Sequence, residues 1–262
     1  MNYWNILFVN PIINLLVAFY KLFEWLHIPG PLGFAVIALT VIIRLVLYPL
    51  MAAQMKSAKK MQQLKPHLDA LNVRHKEDKK ALQQAQLDLY KQHGVNPAAG
   101  CLPLLIQMPV LIALYNVFYQ VLQNGNIIKL IADLNAVLYV PALRLTALDL
   151  SFFGTNLAVK PSQWQTLGWW LLLIPVITAG LQWWQSKLML PPSTVNSQQL
   201  TVNKKEESKP QDTAAEMQKQ MAMITPIMFG MFAYQFPLGL ALYWNVFGLF
   251  GIMQQLRINA EK

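Results

Sequence analysis

The chain contains few of the residues that most catalytic and metal-binding chemistry requires. Its 262 residues include one cysteine, Cys101, and four histidines. A single cysteine excludes an internal disulfide and any metal site built from several cysteines, so Cys101 is interpreted as a packing residue. The sequence has no glycine-rich phosphate loop and neither an HExxH nor a GxSxG motif. We therefore expect no nucleotide-driven step, no metal or other cofactor, and no enzyme activity such as proteolysis.

Acidic residues are also scarce, and they avoid the apolar parts of the chain. There are 12 acidic residues against 21 basic ones, which gives a formal net charge of +9. All twelve acidic residues and all four histidines lie outside five long apolar segments. Proton-coupled transporters normally carry a carboxylate or an imidazole inside the membrane, so the sequence argues against that class.

Apolar residues, in contrast, make up 55% of the chain, and its mean hydropathy is +0.34. Both values are high for a soluble domain and indicate a membrane protein. Five segments approach the roughly 20 apolar residues that a helix needs to cross a bilayer core. They are residues 32–53, 101–121, 164–186, 221–236 and 238–255. Only Phe236 and Pro237 join the last two, which predicts a tight hairpin.

The first 27 residues are apolar but interrupted by polar groups. Asn10-Pro11 and Asn14 break the run, and Lys21 and Glu24 add charge. The basic start and the small-residue cleavage site of a signal peptide are missing. We predict an amphipathic helix that lies in the membrane interface on the outer face, with a sixth span as the alternative.

The basic residues predict the orientation in the membrane. Sixteen of the 21 lie in the segments after spans one, three and five, four lie in the opposite segments, and Arg44 lies within span one. Basic segments stay in the cytoplasm, so the N-terminus is predicted outside and the C-terminus inside. This clustering beside apolar runs also favours a membrane role over direct nucleic-acid binding.

The long segment after span one predicts a cytoplasmic helical hairpin over residues 55–93. Apolar residues recur at helical spacing in both halves, and the charged sequence RHKEDKK at 74–80 is a plausible turn between antiparallel helices. The hairpin is either a solvated linker or a docking arm for a partner or for lipid head groups. A Pro-, Ser-, Gln- and Lys-rich segment near 191–218 predicts a flexible loop, and residues 123–163 are expected to pack on the outer helix ends.

The sequence thus predicts an all-α integral membrane protein with five transmembrane helices. Its division is an outer-face amphipathic helix at 1–30, span one at 31–54, the cytoplasmic hairpin at 55–97, span two at 98–122, an outer loop at 123–163, span three at 164–188, a flexible cytoplasmic loop at 189–218, span four at 219–236, span five at 237–256 and a short cytoplasmic tail at 257–262.

Arg44 is the only charged residue in the five apolar segments. It lies about nine residues, or roughly 14 Å of helical rise, from the inner end of span one. Because no acidic residue or histidine lies within the spans to pair with it, we expect a water-filled cavity open to the cytoplasm. The alternative is that Arg44 snorkels to the inner head groups or caps backbone carbonyls. Thr40 and Tyr48 lie one turn away on the same helix face.

Other polar residues within the spans are available to line such a cavity. They are Gln107, Asn116, Gln120, Thr178, Gln182, Thr225, Gln235 and Asn245.

Three motifs resemble the YidC/Oxa/Alb family of membrane protein insertases. GFAVIALTVIIRLVLYPL at 33–50 is similar to the family's first shared span, including its arginine. LYKQHGVNPAAGCLPLLIQMPVLIALYNVF at 89–118 resembles the entry into its second span, and FPLGLALYWNVFGLFGIMQQ at 236–255 resembles its last span. The ordered set covers nearly the whole chain and is specific.

The resemblance implies an insertase and folding chaperone of the bacterial plasma membrane with a hydrophilic groove open to the cytoplasm. Arg44 matches the groove arginine, and the hairpin matches a region that receives substrate. The candidate groove residues are Arg44, Thr40, Tyr48, Gln182, Gln235 and Trp244, and the candidates for an apolar path into lipid are Met108, Ile112, Met228 and Phe232.

The implied partners are nascent membrane proteins and the bilayer, with the Sec translocon, the signal recognition particle system and the ribosome as further candidates. We expect no large outer domain, no lipoprotein-type signal and no long basic tail, because the residues of the chain match none of these patterns. Ribosome docking through such a tail is therefore not expected. The rival functions are a small-solute transporter or channel and a purely structural membrane subunit.

Overall fold

The computed structural model describes residues 3–75, 78–95, 102–124, 127–189 and 213–260. Within these ranges, eleven α-helices are joined by short turns and one small β-hairpin, which confirms the all-α class. The helices are α1 (Asn10–Trp25), α2 (Pro31–Val46), α3 (Tyr48–Gln63), α4 (Lys65–Arg74), α5 (Lys79–Gln92), α6 (Leu102–Asn124), α7 (Ile127–Val137), α8 (Trp164–Leu167), α9 (Leu173–Met189), α10 (Thr213–Gln235) and α11 (Leu238–Ala260).

Five helices pack side by side in the order α10, α9, α11, α2 and α1, and α6 lies against α1 and α11. The order follows from which helix faces are apolar. On α2, the buried residues Leu32, Ala35, Val36 and Leu39 recur every three or four positions and therefore share one face. They join one large core with residues of α1, α6 and α11.

The N-terminal region is one continuous helical rod. A π-helical turn at Asn5–Val9 runs directly into α1. Val9, Ile13, Val17 and Tyr20 are buried against neighbouring helices, whereas side chains such as Trp25 on the opposite face are exposed. The rod therefore has one packed and one open apolar face.

Length and apolarity single out few helices that could cross a membrane. Among the described residues, Asn5–Trp25 meets both criteria alone, and the bent pair Pro31–Val46 and Tyr48–Met61 meets them together. The count of five spans and the interfacial position of the N-terminal helix stay predictions.

Asn14 fastens α1 to the segment after α7. Its amide nitrogen donates to the carbonyl of Val137 at 2.8 Å and to that of Asn10 at 2.9 Å, and its amide oxygen accepts from the backbone of Tyr139 at 2.7 Å. We call Asn14, Val137 and Tyr139 the Asn14 clasp. The Tyr20 hydroxyl accepts a further bond from the Asp149 backbone at 2.9 Å.

The segment after α7 closes over the ends of several helices. Ser151–Phe152 and Thr155–Asn156 form a two-stranded hairpin whose turn residues, Phe153 and Gly154, both have positive φ. Phe152 lies so close to Gly33 on α2 that a Cβ there would come within 2.0 Å of its ring. The backbones of Leu238 and Gly239 donate to Val159 and Leu157 at 2.8 and 2.9 Å. This packing on helix ends is as the sequence predicts.

The first predicted span is bent. Its helix α2 ends at Val46, and α3 begins at Tyr48 at an angle of 62°. Pro49 explains the bend because it lacks an amide hydrogen and its ring clashes with the carbonyl four residues earlier. The segment predicted as span one, 31–54, is therefore divided between two helices that meet at Leu47.

The third predicted span also differs in its beginning. The long helix α9 begins at Leu173 rather than at Trp164, since Gly168 with φ of 117° separates α8 from a 3₁₀ turn at Trp169–Leu172. Most side chains disfavour that backbone conformation, so glycine allows the break.

The hairpin after α3 is built from α4 and α5, and its antiparallel pairing follows from two contacts. The ring centroids of His67 and His93 lie 6.2 Å apart, and Gln86 donates to Asn72 at 3.2 Å. Asp78 caps α5 by accepting from the backbones of residues 80 and 81 at 3.0 Å each. A small core holds the two helices together and consists of Leu64, Leu68, Tyr90 and Val95.

Candidate functional site

Arg44, a residue of α2, is buried against α11. Its side chain is 2% exposed although it lies in the last turn of an apolar helix. Nη1 donates to the side-chain oxygen of Gln254 at 3.0 Å, and Nη2 donates to the backbone carbonyl of Phe247 at 2.5 Å. The guanidinium carbon also lies 3.4 Å from the centroid of the Phe247 ring. Such cation–π contacts stabilise a cation where water is excluded.

Arg44 therefore has polar partners inside the protein, and one of them is a backbone carbonyl, as in the alternative named above. The water-filled cavity stays a prediction. No carboxylate pairs with it in the described parts of the chain, so its charge is solvated by dipoles but not neutralised. Its Nε has no hydrogen-bond partner among the described residues. An arginine offers five N–H donors, so binding capacity remains.

Gly251 of α11 makes room for the polar groups. A Cβ on Gly251 would lie 2.7 Å from Nη2 of Arg44 and 2.6 Å from the side-chain nitrogen of Gln185. Gly248, one turn earlier, has Gln182 at an ordinary contact distance of 3.8 Å. Gln182 and Gln185 both come from α9, so three helices meet around the guanidinium. We call Arg44, Phe247, Gly251, Gln254 and Gln185 the arginine site.

The structure brings only some of the predicted groove residues to this place. Thr40 is fully buried, but its hydroxyl donates to the carbonyl of Val36 in its own helix at 2.6 Å. Gln182 is buried beside Gly248, next to the arginine site. Tyr48 is half-buried and lies beyond the bend at Leu47, on the other helix of the pair. Gln235 is exposed at the far end of α10 and is not part of the arginine site.

Trp244 belongs to an aromatic cluster that lies one or two turns nearer the start of α11. Its ring centroid lies 5.5 Å from Phe229, 6.2 Å from Phe232 and 5.9 Å from Phe236. The indole Nε1 is buried and has no partner among the described residues. An unpaired buried donor is unusual and marks a place where a polar group could bind.

The four residues proposed for an apolar path divide into two pairs. Met108 and Met228 are 42% and 38% exposed, so each presents an open apolar surface. Ile112 and Phe232 are half-buried and pack against the main core. Each pair has one residue from α6 and one from α10, and α10 is the helix at one end of the row.

Sequence reasoning missed most partners of Arg44. Phe247, Gly251 and Gln254 lie at intervals of four and three residues on one face of α11, and Trp244 continues the same face. That mixed stripe of polar, small and aromatic residues in an otherwise apolar helix was the available signal. Another unforeseen contact is the bond from Gln107 to the hydroxyl of Tyr243, a residue that is fully buried.

Comparison with known proteins decides the family. The family model described as the 60Kd inner membrane protein matches residues 25–262. The chain belongs to this family. A membrane protein insertase YidC from Oceanobacillus iheyensis is 30% identical over 261 residues, covering 98% of this chain and 83% of that protein. The inner membrane ALBINO3-like protein 1 of the Chlamydomonas reinhardtii chloroplast is 32% identical over 228 residues, which cover 84% of this chain.

The fold agrees with the family. A crystal structure described as active YidC insertase with the first transmembrane domain resolved matches 94% of this chain and 46% of that one, with a TM-score of 0.53 and 26% identity. The chain spans only part of some relatives: 42% of the Chlamydomonas protein and 37% of the insertase YidC from Granulibacter bethesdensis.

Proposed function

We propose that the chain is a membrane protein insertase and folding chaperone. It would move nascent transmembrane segments from the cytoplasm into the bilayer through a hydrophilic groove, without nucleotide hydrolysis. The observation that carries this proposal is the buried, un-neutralised charge of Arg44 between apolar helices. A buried charge without a counter-ion costs free energy, and such groups in membrane proteins usually mark a binding site or a transport path.

The proposed membrane arrangement has five spans, formed by the bent pair α2–α3 and by α6, α9, α10 and α11. The rod ending in α1 lies on the outer face. This position is favoured because Asn14 and Tyr20, about 9 Å apart along the helix, both bond to the segment after α7. The N-terminus is outside and the C-terminus is in the cytoplasm of a bacterial plasma membrane, as the basic residues indicate.

The first step is attraction of an acidic or polar substrate tail. Arg44 provides a permanent positive charge in a site of low dielectric, where attraction between charges is stronger than in water. A carboxylate bound there would supply the counter-ion that the described residues do not. The tail is held partway across the membrane while the rest of the segment enters.

The second step is transfer of the substrate's apolar stretch into lipid. The stretch moves along α6 and α10, where Met108 and Met228 present exposed apolar surface and Ile112 and Phe232 lie beside them. Burial of apolar surface contributes about 25 cal/mol per Å² and drives release without another energy source.

The α4–α5 hairpin is the proposed receiving region for substrate on the cytoplasmic side. Nascent membrane proteins and the bilayer are the partners that this mechanism requires. The Sec translocon, the signal recognition particle system and the ribosome are further proposed partners, and adding each to a reconstituted system would show whether it increases insertion. Direct binding of nucleic acid is not part of the mechanism.

Reconstitution of the purified chain alone in liposomes tests the proposed function. A single-span substrate with an acidic N-terminal tail is synthesised in their presence and then treated with protease. We expect a protected fragment above the level in empty liposomes. Solute uptake or ion conductance without a protected fragment would contradict the proposal and support a transporter or channel instead.

A further inference from the structure

The arginine site contains an internal acceptor in the place that a substrate carboxylate would need. Gln254 points its amide oxygen at Nη1 of Arg44, 3.0 Å away, and is only 9% exposed. Gln254 lies on α11 and Arg44 lies on α2. The bond therefore connects two helices through residues that are 210 positions apart in the chain. The contact is therefore part of the tertiary structure and not a local capping interaction.

The second acceptor differs because it belongs to the backbone. The carbonyl of Phe247 is fixed by the helix, and the Phe247 ring lies against the guanidinium. This side of Arg44 is therefore permanently occupied. Gln254, in contrast, holds Arg44 through a side chain with several rotatable bonds and can move away.

The chemistry of the two possible partners makes the exchange favourable. A glutamine oxygen carries a partial charge, whereas a carboxylate carries a full charge and binds guanidinium in a shorter, stronger bond. The uncharged amide binds the buried guanidinium strongly enough to solvate it, but it binds more weakly than a carboxylate does. Gly251 leaves the space in which Arg44 and Gln185 approach each other, so the guanidinium has polar surroundings while the exchange occurs.

We propose that Gln254 is a displaceable latch on Arg44 and thereby sets the selectivity for acidic substrate tails. In the resting protein it occupies Nη1, and an incoming carboxylate replaces it while the bond to Phe247 stays in place. This inference deepens the proposed function and rests on it. A tail without an acidic group makes no such exchange, so the latch competes only with acidic tails and sets how far they are favoured.

Two substitutions move this selectivity in opposite directions. Gln254→Glu keeps the shape but gives Arg44 a permanent counter-ion, so insertion of an acidic tail should fall about tenfold, because a charged partner is harder to displace than an amide. Gln254→Met keeps the length but removes the acceptor, so insertion of an acidic tail should rise roughly threefold at limiting protein, on the same reasoning. The ratio of acidic-tail to neutral-tail insertion should therefore fall in Gln254→Glu and rise in Gln254→Met.

Gln255→Glu is the matched control. Gln255 is the neighbouring residue, is also buried, and bonds to Asn259 at 2.9 Å rather than to Arg44. A glutamate there adds the same charge to the same helix without replacing the latch. The ratio of acidic-tail to neutral-tail insertion should equal that of the unmodified protein.

The measurement is this ratio in proteoliposomes, using two substrates that differ only by Asp→Asn changes in the tail. A ratio within one preparation does not depend on how much of each variant folds. Opposite shifts for Gln254→Glu and Gln254→Met with no shift for Gln255→Glu support the latch. An unchanged ratio in both Gln254 variants, or the same shift in Gln255→Glu, overturns it.

Arg44→Ala separates failure of the latch from failure of the proposed function. If Arg44→Ala lowers the ratio while the Gln254 variants leave it unchanged, Arg44 attracts acidic tails without a latch. If Arg44→Ala itself leaves the ratio unchanged, the charge attraction in the proposed function is wrong and the latch falls with it.

Discussion

Two of the places where polar side chains are buried in this protein, the Asn14 clasp and the arginine site, differ in how completely those side chains are paired. In the Asn14 clasp, the amide nitrogen and oxygen of Asn14 all have partners at 2.7 to 2.9 Å. In and beside the arginine site, Nε of Arg44 and Nε1 of Trp244 have none among the described residues. Fully paired groups rigidify a fold, whereas unpaired groups beside a charge leave capacity for a ligand.

The comparison separates a structural polar site from a functional one. Substitution in the Asn14 clasp should change the stability of the protein and leave substrate choice alone. Substitution in the arginine site should change substrate choice more than stability. These two expectations, on stability and on substrate choice, can be tested by substitution.

The largest effect is expected for Arg44→Ala. Insertion of a single-span substrate with an acidic N-terminal tail should fall roughly thirtyfold or more, because removing one partner of a desolvated charge pair costs about 2–5 kcal/mol. Arg44→Lys should retain a good part of the activity, since it keeps the charge but loses the planar fork. Protease protection of the substrate in cells, at matched protein level, provides the measurement. Equal insertion by Arg44→Ala would show that charge attraction is not used.

A smaller effect is expected when the space beside Arg44 is filled. The new methyl group of Gly251→Ala would lie 2.7 Å from Nη2 and 2.6 Å from Gln185, so one of them must move. Acidic-tail insertion should fall by about tenfold, in line with overpacking costs of about 1–3 kcal/mol. Gly248→Ala is the control, because its nearest neighbours lie at 3.8 Å. Equal losses in the two variants would mean that space at Gly251 has no particular importance.

Asn14→Ala tests the role of the Asn14 clasp. It leaves the carbonyl of Val137 and the backbone amide of Tyr139 without their partner. The protein should lose about 1–3 kcal/mol of stability, the cost of unpaired buried groups. Thermal unfolding in detergent measures this loss, while the ratio of acidic-tail to neutral-tail insertion should stay unchanged. A changed ratio would show that the Asn14 clasp shapes the groove and that the separation is too simple.

The mildest effect is expected for shortening the cytoplasmic hairpin, which contains neither the Asn14 clasp nor the arginine site. Replacing residues 65–93 by a short flexible linker should lower insertion only in part, and the core helices should unfold at nearly the same temperature. The hairpin has its own small core of Leu64, Leu68, Tyr90 and Val95, so its removal exposes little of the main core. Full complementation by the shortened protein would identify the hairpin as a linker only.

Much of the fold follows from patterns that act locally. Apolar periodicity predicts the helices, the sequence RHKEDKK predicts the turn before α5, and Phe236-Pro237 marks the junction of α10 and α11. The bend at Leu47 and the break at Gly168 also have local causes, Pro49 and a positive φ. Pro49 and Gly168 are visible in the sequence, but the spans are predicted from the length of the apolar runs, which does not locate bends or breaks within them.

The candidate site was predictable only in its centre. Arg44 is conspicuous because it is the one charge in an apolar helix. Its acceptors on Phe247 and Gln254 are 203 and 210 positions away, and helix spacing within one segment does not predict which helices become neighbours. Arg44 reaches these acceptors because α11 packs against α2 and because a glutamine side chain is long enough to meet the guanidinium.

The dependence of insertion on the number of acidic residues in the substrate tail tests the central claim most directly. Tails with zero, one, two and three aspartates are compared in proteoliposomes that contain either the unmodified chain or Arg44→Gln, which removes the charge but keeps a polar side chain. We predict that insertion rises with acidic charge for the unmodified chain and is independent of it for Arg44→Gln. The same rise in both proteins would contradict the account.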